Sequence, residues 1–478
     1  MRLLKFQTRL DNLVSRGLEY WKIPGSVIAF FSDKAIIDIM ASGINNINES
    51  MAMDSNVIFP IGSCIKGFTS LLIGILVDQG KIAWDEPLVK KFEDLRFSNQ
   101  HETSNLTIRD ILSHKTRVSK NALLWDFAPL TREELFNKVE MLECMNKYNA
   151  SFNYNNLMYS ISEYLVERIT KMPFEENLCR EILNKLKLEK TTSRLLDLCE
   201  DKNRVHTYDF YNNQFIELEY PIDKNLSKVG STLNSSITDM IKWIQLYLNW
   251  GKINGKQIVS KESLLETISP QTIVPNKLYS EATYLLYSMG WYMQPYRGKR
   301  LIFHEGRSYG CNVYLSFMPE VKLGVIIVSN REHKNFSAMV AYSIYDYHVF
   351  KDELPWFERF RIEVDSKKTY KPDSMQLSKM GYQTNIEQFI GCFENNIYGN
   401  IHIFQRGEDL IFQYYSLIIK LYPVQPNIFR GIPLRPYISM RNKLGYDFSL
   451  KVEYINYTTL IIHNEPEVKN IVFQRKVG

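Results

Sequence analysis

Cysteine is scarce in this chain. Six cysteines occur in 478 residues, widely spaced at Cys64, Cys144, Cys179, Cys199, Cys311 and Cys392. No C-x-x-C pair is present, which argues against both a zinc site and a disulfide framework. Six buried free thiols in a reducing compartment are expected instead. Long apolar runs are also lacking. The longest, near residues 71–77, is far short of the roughly 20 residues that span a bilayer, so no membrane span is expected. Charges interrupt the opening segment MRLLKFQTRLDNLVSRGLEYW, which therefore reads as an amphipathic helix and not as a secretory signal. With Met1 as the true start, the expected location is the cytoplasm. Nor is there an excess of charge of one sign. The 58 Lys+Arg residues oppose 53 Asp+Glu, for a net charge of +5. That is unlike the basic footprint of a nucleic-acid binder, so no nucleic-acid partner is expected.

What is present points to a folded protein. Hydrophobic residues make up 45 % of the chain and charged residues 23 %, which excludes a disordered polymer. Aromatics reach 13 %, with 29 Tyr and 26 Phe, and indicate large cores and much β-structure. The length suits two domains, one large and one small. The runs SVIAFFSD and KAIIDIMAS read as a hairpin. Ser63 opens an apolar helix that Gly80 closes. Residues 131–200 are helical in pattern, and SSITDMIKWIQLYLNW is a further amphipathic helix. WYMQPY, KRLIFHEG, CNVYLSFM and KLGVIIVSN read as antiparallel strands, covered by the helix NFSAMVAYSIYDYHVF. The β regions at the two ends of this unit are expected to pair into one sheet. The fold class is therefore α+β: an antiparallel sheet flanked by helices, with an all-helical subdomain. The domain spans residues 1–350. Residues 351–385 are polar, charged and Pro-containing and read as a linker. Residues 386–478 carry about eight short strands at regular spacing, the pattern of a small antiparallel β-barrel or sandwich.

Three short segments could carry chemistry. Ser63-Cys64-Ile65-Lys66 is the chain's S-x-x-K. The serine lies at a helix N-terminus, where free N–H groups favour negative charge, and Lys66 falls one turn later on the same face. Burial in an apolar helix would lower the lysine pKa and let it act as a base for the serine. A capping serine beside a snorkelling lysine would give the same letters. Phe152-Asn153-Tyr154-Asn155-Asn156 precedes a helix. It could be a turn and cap, or it could place a phenol and an amide in a cleft. His304-Glu305-Gly306 ends the strand KRLIF. Gly306, read as lying on an edge strand, permits close backbone approach, and the next N–H, on Arg307, could form half of an oxyanion hole. A hairpin turn with an exposed histidine is the plain alternative.

In this order the three segments resemble the S-x-x-K, Y-x-N and H-x-G or K-T-G motifs of the serine β-lactamase and penicillin-binding-protein superfamily. The likeness is closest to its class-C-like branch of D-aminopeptidases, alkaline D-peptidases and esterases. IPGSVIAFFSD, LTIRDILSHKT, YSMGW and LGVIIVSN are similar to further landmarks of that family, and the likeness covers roughly residues 8–350. The resemblance implies Ser63 as the acylated nucleophile, Lys66 as its base and Tyr154 as proton shuttle. It implies Asn156 as the group positioning substrate and lysine, and His304 in the place of the third-motif cation. Gly306 and Arg307 would contact substrate through the backbone, with the N–H groups of Ser63 and Arg307 as the oxyanion hole. No metal or other cofactor is implied. The implied activity is hydrolysis of amide or ester bonds through an acyl-enzyme, with D-amino-acid-containing peptides among the candidates. A catalytically silent sensor or scaffold, a β-lactamase and a transesterase are the alternatives. The partner is a small-molecule or short-peptide substrate, with homo-oligomerisation left open. Two departures stand out. Lys115-Thr116-Arg117 replaces the usual T-S-G after L-S-H, and the bulky Arg307 follows Gly306. The C-terminal unit resembles the lipocalin-like domain appended to some of these enzymes.

Overall fold

A computed structural model describes residues 2–145, 152–211, 213–220, 233–275, 279–367, 386–433, 450–463 and 470–476. The two β regions of the large unit join as expected. Gly25–Ser32 pairs antiparallel with Leu323–Ser329 on one side and with Ile36–Asn46 on the other. Strand Gly25–Ser32 is almost wholly buried because helices cover both faces of the sheet. The nine-stranded sheet runs in the order Thr272–Ile273, Leu286–Tyr287, Tyr292–Tyr296, Lys299–Ser308, Cys311–Met318, Leu323–Ser329, Gly25–Ser32, Ile36–Asn46, Met51–Ala52.

Two cores result, one on each face. On the outer face, helix Arg2–Tyr20 presents Phe6, Leu10, Val14 and Leu18 at four-residue spacing, so all four fall on one stripe. They pack with Phe30, Ile327 and the helix Lys334–Tyr345. On the inner face the apolar helix Ile65–Asp78 lies against Ile237–Leu248 and Asn156–Thr170, and Phe68 stacks on Trp243 at 3.7 Å between ring centroids. This buried helix is the spine on which the site is built.

Three readings of the sequence need correction. The segment taken as a linker contains the helix Trp356–Lys367, and Trp356, Phe357 and Phe360 are buried in the outer core. Trp356 Nε1 donates to the buried Asp346 at 2.9 Å, and Asp346 also receives Tyr296 Oη and Arg297. Three apolar side chains among many charges hid this helix. Residues 368–385 lie outside the described residues. Of the six cysteines, only Cys64 and Cys311 are buried, and Cys179 is exposed. Lastly, strand Lys299–Ser308 is interior to the sheet and not an edge.

The C-terminal unit is the expected barrel, closed by pairing of Gly391–Asn395 with Ile471–Arg475. Its eight antiparallel strands include Ile428–Pro433, a short run the sequence reading passed over. Alternate side chains point inward, and Phe393, Ile401, Phe412, Phe429, Tyr454 and Phe473 fill the interior. No helix among the described residues is long and apolar enough to cross a membrane.

Candidate active site

The chain reaches the site through strand Ile58–Pro60, which pairs with Asn234–Ser236. Gly62 then takes a left-handed φ of 50°, and the single 3-10 turn Gly62–Cys64 leads into helix Ile65–Asp78. This turn leaves Ser63 half-buried at the helix start and carries Lys66 into the interior at 2 % exposure. The lysine Nζ lies 3.1 Å from Ser63 Oγ. The rest of its surroundings are aromatic. Nζ is 5.0 Å from the Tyr154 ring centroid and 5.2 Å from that of Tyr159. The first two sequence motifs therefore meet around one amine.

The third motif closes the site from the sheet. Strand Tyr292–Tyr296 pairs only with residues 299–303, so the distal half of Lys299–Ser308 is uncovered on that side. The turn at residues 61–64 fills the gap. A Cβ added to Gly306 would sit 1.8 Å from Ile61 O, and one on Gly62 would sit 2.7 Å from Arg307 N. Glycine is required at both positions for this approach. The hairpin that follows fixes which way the Arg307 N–H points. Tyr309 and Gly310 both have positive φ, the signature of a two-residue type I′ turn closed by the hydrogen-bonded pair Ser308–Cys311. Pairs alternate in an antiparallel ladder, so Arg307–Asn312 is a non-hydrogen-bonded pair. The Arg307 N–H thus points out of the ladder, toward the turn that carries Ser63.

His304 differs from its expected role as a cation. It is 1 % exposed. Burial, then the positive charges of Lys66 and Arg307, hold its pKa down at about 3, against a carbonyl contact that pulls the other way. Its tautomer is set by its partners. Nδ1 is 2.7 Å from Glu305 O, which can only accept, so Nδ1 carries the proton and Nε2 receives Tyr287 Oη at 3.2 Å. The imidazole is neutral near pH 7. The cation at the rim is Arg307, whose pKa is raised, with the Glu305 and Glu332 carboxylates outweighing burial; Glu305 Oε2 lies 3.5 Å from its guanidinium.

Asn156 is the first residue of helix Asn156–Thr170, and its Oδ1 is buried without a hydrogen-bond partner. The Asn156 amide, expected to position lysine and substrate, thus carries an oxygen with no donor on it. The neighbouring asparagines are structural. Asn155 caps the helix through Met158 N, and Asn153 Nδ2 donates to Val118 O at 2.8 Å.

One group beneath the site escaped sequence reasoning. His114 is fully buried and has a left-handed φ of 58°. Its ring lies 4.4 Å from the Tyr154 ring, and its Nδ1 accepts Asn155 N–H at 3.1 Å. Burial, then the nearby lysines Lys66 and Lys120, hold its pKa well below the ordinary histidine value. The signal was the LTIRDILSHKT segment, where the histidine was quoted but given no role. The unusual Lys115-Thr116-Arg117 is accommodated because the left-handed residue is His114 itself. Arg117 anchors the loop on Glu102 at 2.8 Å and Asn99 at 2.9 Å. Among the described residues no group of three His, Cys, Asp or Glu side chains could hold a metal ion.

A sheet with helices on both faces, a turn carrying Ser63 at the head of a buried helix and a tyrosine loop across from it define a β-lactamase/transpeptidase-like protein. Residues 10–346 match the Beta-lactamase family, and the chain belongs to that family. It is 22 % identical over 395 residues to the unguisins hydrolase ungD of Aspergillus violaceofuscus, covering 76 % of this chain and 69 % of that protein. Among solved structures, the octameric penicillin-binding protein homologue from Pyrococcus abyssi superposes with a TM-score of 0.63 at 19 % identity, over 98 % of this chain and 99 % of that one. D-amino acid amidase from Ochrobactrum anthropi SV3 gives a TM-score of 0.56 at 16 % identity, over 70 % of this chain and 94 % of the amidase. Both structural likenesses speak to the fold.

Proposed function

We propose that the protein is a serine hydrolase that cleaves amide or ester bonds through an acyl-enzyme on Ser63. The observation that carries this reading is the 3.1 Å contact between Ser63 Oγ and the buried Lys66 Nζ at the head of a helix. With its amine unprotonated, Lys66 accepts the Ser63 proton as Oγ attacks the substrate carbonyl carbon. Negative charge then develops on the carbonyl oxygen. The N–H groups of Ser63 and Arg307 are the donors for it, in a site where fixed dipoles act more strongly than in water. Tyr154 relays a proton to the departing amine or alcohol, and the C–N or C–O bond breaks to leave the Ser63 ester. Water hydrolyses that ester and restores the hydroxyl. The neutral His304 positions Tyr287 and the strand and carries no charge of its own.

The likeness to an unguisins hydrolase and to a D-amino acid amidase supports amide hydrolysis, with D-residue-containing peptides as the candidate substrate class. The test is labelling of the intact protein with a fluorescent phosphonate, followed by turnover of paired D- and L-amino-acid amides, short esters and a chromogenic β-lactam. Labelling that disappears in Ser63→Ala, together with amide turnover, is expected. Equal labelling of Ser63→Ala would overturn the assignment, and wild-type protein that takes no label would point to a catalytically silent scaffold.

A further inference from the structure

Among the described residues, the C-terminal barrel meets the large unit at a buried polar contact. Tyr398, in the turn between strands Gly391–Asn395 and Gly399–Arg406, is 4 % exposed and donates its hydroxyl to Asn121 Oδ1 at 2.7 Å. The barrel holds this tyrosine firmly. Asn395 Oδ1 receives the backbone N–H groups of Ile397 and Tyr398, an Asx turn, and Tyr414 Oη donates to Tyr398 O at 2.8 Å.

The path continues inside the catalytic unit. Asn121 sits in the left-handed region with φ 46°, a conformation that asparagine tolerates better than most residues. Its Nδ2 donates to Ser119 O at 2.7 Å and to Ser119 Oγ at 2.9 Å. Ser119 O also receives Asn155 Nδ2 at 3.2 Å, and Val118 O receives both Asn153 and Asn155. Residues 152–156, which include Tyr154 and Asn156, thus lie on the 114–119 segment through asparagine amides. That segment is clamped at its far end by Asn121. With Tyr398 on its oxygen, Asn121 has its Nδ2 group turned toward Ser119. Without Tyr398 the buried oxygen loses its donor, and a flipped amide or an inserted water would slacken the clamp.

We propose that Tyr398 is a positioning residue: through Asn121 and Ser119 it fixes the loop that carries Tyr154 and Asn156 opposite Ser63 and Lys66. This assigns the barrel a role in acylation, and it rests on the reading of Ser63 as the nucleophile.

The experiment compares full-length wild type, Tyr398→Phe, Asn121→Ala, the double variant and Lys138→Ala. Lys138 donates to Asn396 O at 2.9 Å in the same interface but lies off the path, so it controls for docking alone. The readouts are the phosphonate acylation rate, the thermal midpoint and hydrogen exchange of peptides covering 114–121 and 152–158. Tyr398→Phe is expected to slow acylation about tenfold, because small displacements of reacting groups are costly. It should speed exchange in both peptides with the midpoint nearly unchanged. The double variant should acylate no more slowly than Asn121→Ala, and Lys138→Ala should stay within about twofold of wild type. Unchanged exchange in Tyr398→Phe, multiplying effects in the double variant, or equal losses in Tyr398→Phe and Lys138→Ala would overturn the proposal. Should wild type take no label, the hydrolase reading fails, while the exchange data still decide the coupling.

Discussion

Replacing Gly306 by alanine adds one methyl group where the strand meets the nucleophile turn. The new carbon would lie 1.8 Å from Ile61 O, 2.8 Å from Ile61 C and 3.1 Å from Cys64 Sγ. Two of these neighbours are backbone atoms that no rotamer change can move. Non-bonded carbon and oxygen need well over 3 Å, so the strand and the turn must separate by roughly 1 Å or more. That separation opens the gap between the Ser63 and Arg307 N–H groups, and losing one oxyanion donor costs about 10²–10³ in rate, or ~2.7–4 kcal/mol of barrier. Gly74→Ala is the matched control. It lies in the same helix, and its added carbon would meet nothing nearer than Ser263 Cβ at 3.5 Å. The assay is the second-order rate of phosphonate acylation, read beside a thermal melt and far-UV circular dichroism. Gly306→Ala should acylate at about a hundredth of the wild-type rate or slower while remaining folded, and Gly74→Ala should acylate normally and melt no lower. A Gly306→Ala protein that acylates within threefold of wild type would refute the placement of the Arg307 N–H in the site.

Three further outcomes follow from the same geometry. Arg307→Ala should raise KM for substrates bearing a carboxylate by about tenfold, the scale of one charge-assisted contact; an equal rise for neutral esters would sink the idea. His304 stays neutral down to about pH 3 in the fold, against 6.5 for an ordinary histidine. The unfolded chain therefore binds the extra proton first, so the His304 contribution is intact above pH 6.5 and is lost as the pH falls from 6.5 toward 3. Urea unfolding at pH 7 and 4.5 should show a smaller acid loss in His304→Asn, and the wild-type kcat/KM profile should lack a His304 limb between pH 6 and 7. Trp356→Ala should cost about 3–5 kcal/mol in urea unfolding through loss of a buried ring and of one donor to Asp346; a cost below 1 kcal/mol would return this segment to the status of a linker.

The legibility of the chain follows the range of the interactions involved. The hairpin of Gly25–Ser32 with Ile36–Asn46, the buried helix Ile65–Asp78 and the regular barrel strands rest on local periodicity and turn chemistry, which a sequence displays directly. The helix Trp356–Lys367 was missed because charged residues dominate its composition and hide the buried Trp356, Phe357 and Phe360. Ile428–Pro433 was missed because Gly431 interrupts its apolar run and the strand ends in proline. Likewise, the edge-strand reading of Gly306 failed as topology yet held in substance. The strand is interior, but its neighbour stops at residue 303.

For the site, sequence alone determined the residue types, their order and the helix-start position of Ser63. Helical pitch then put Lys66 on the face of Ser63, because residues three apart are neighbours on a helix. Only tertiary structure decided the rest. It set the charge of His304, since the burial and the field of Lys66 come from segments far from it in the chain. It brought His114 beneath Tyr154, and it set the turn that carries Ser63 against the uncovered side of the strand at Gly306. It also carried a tyrosine of the barrel, 277 residues further along, onto Asn121. Electrostatics and close approach depend on separation in space, and separation along the chain does not encode it.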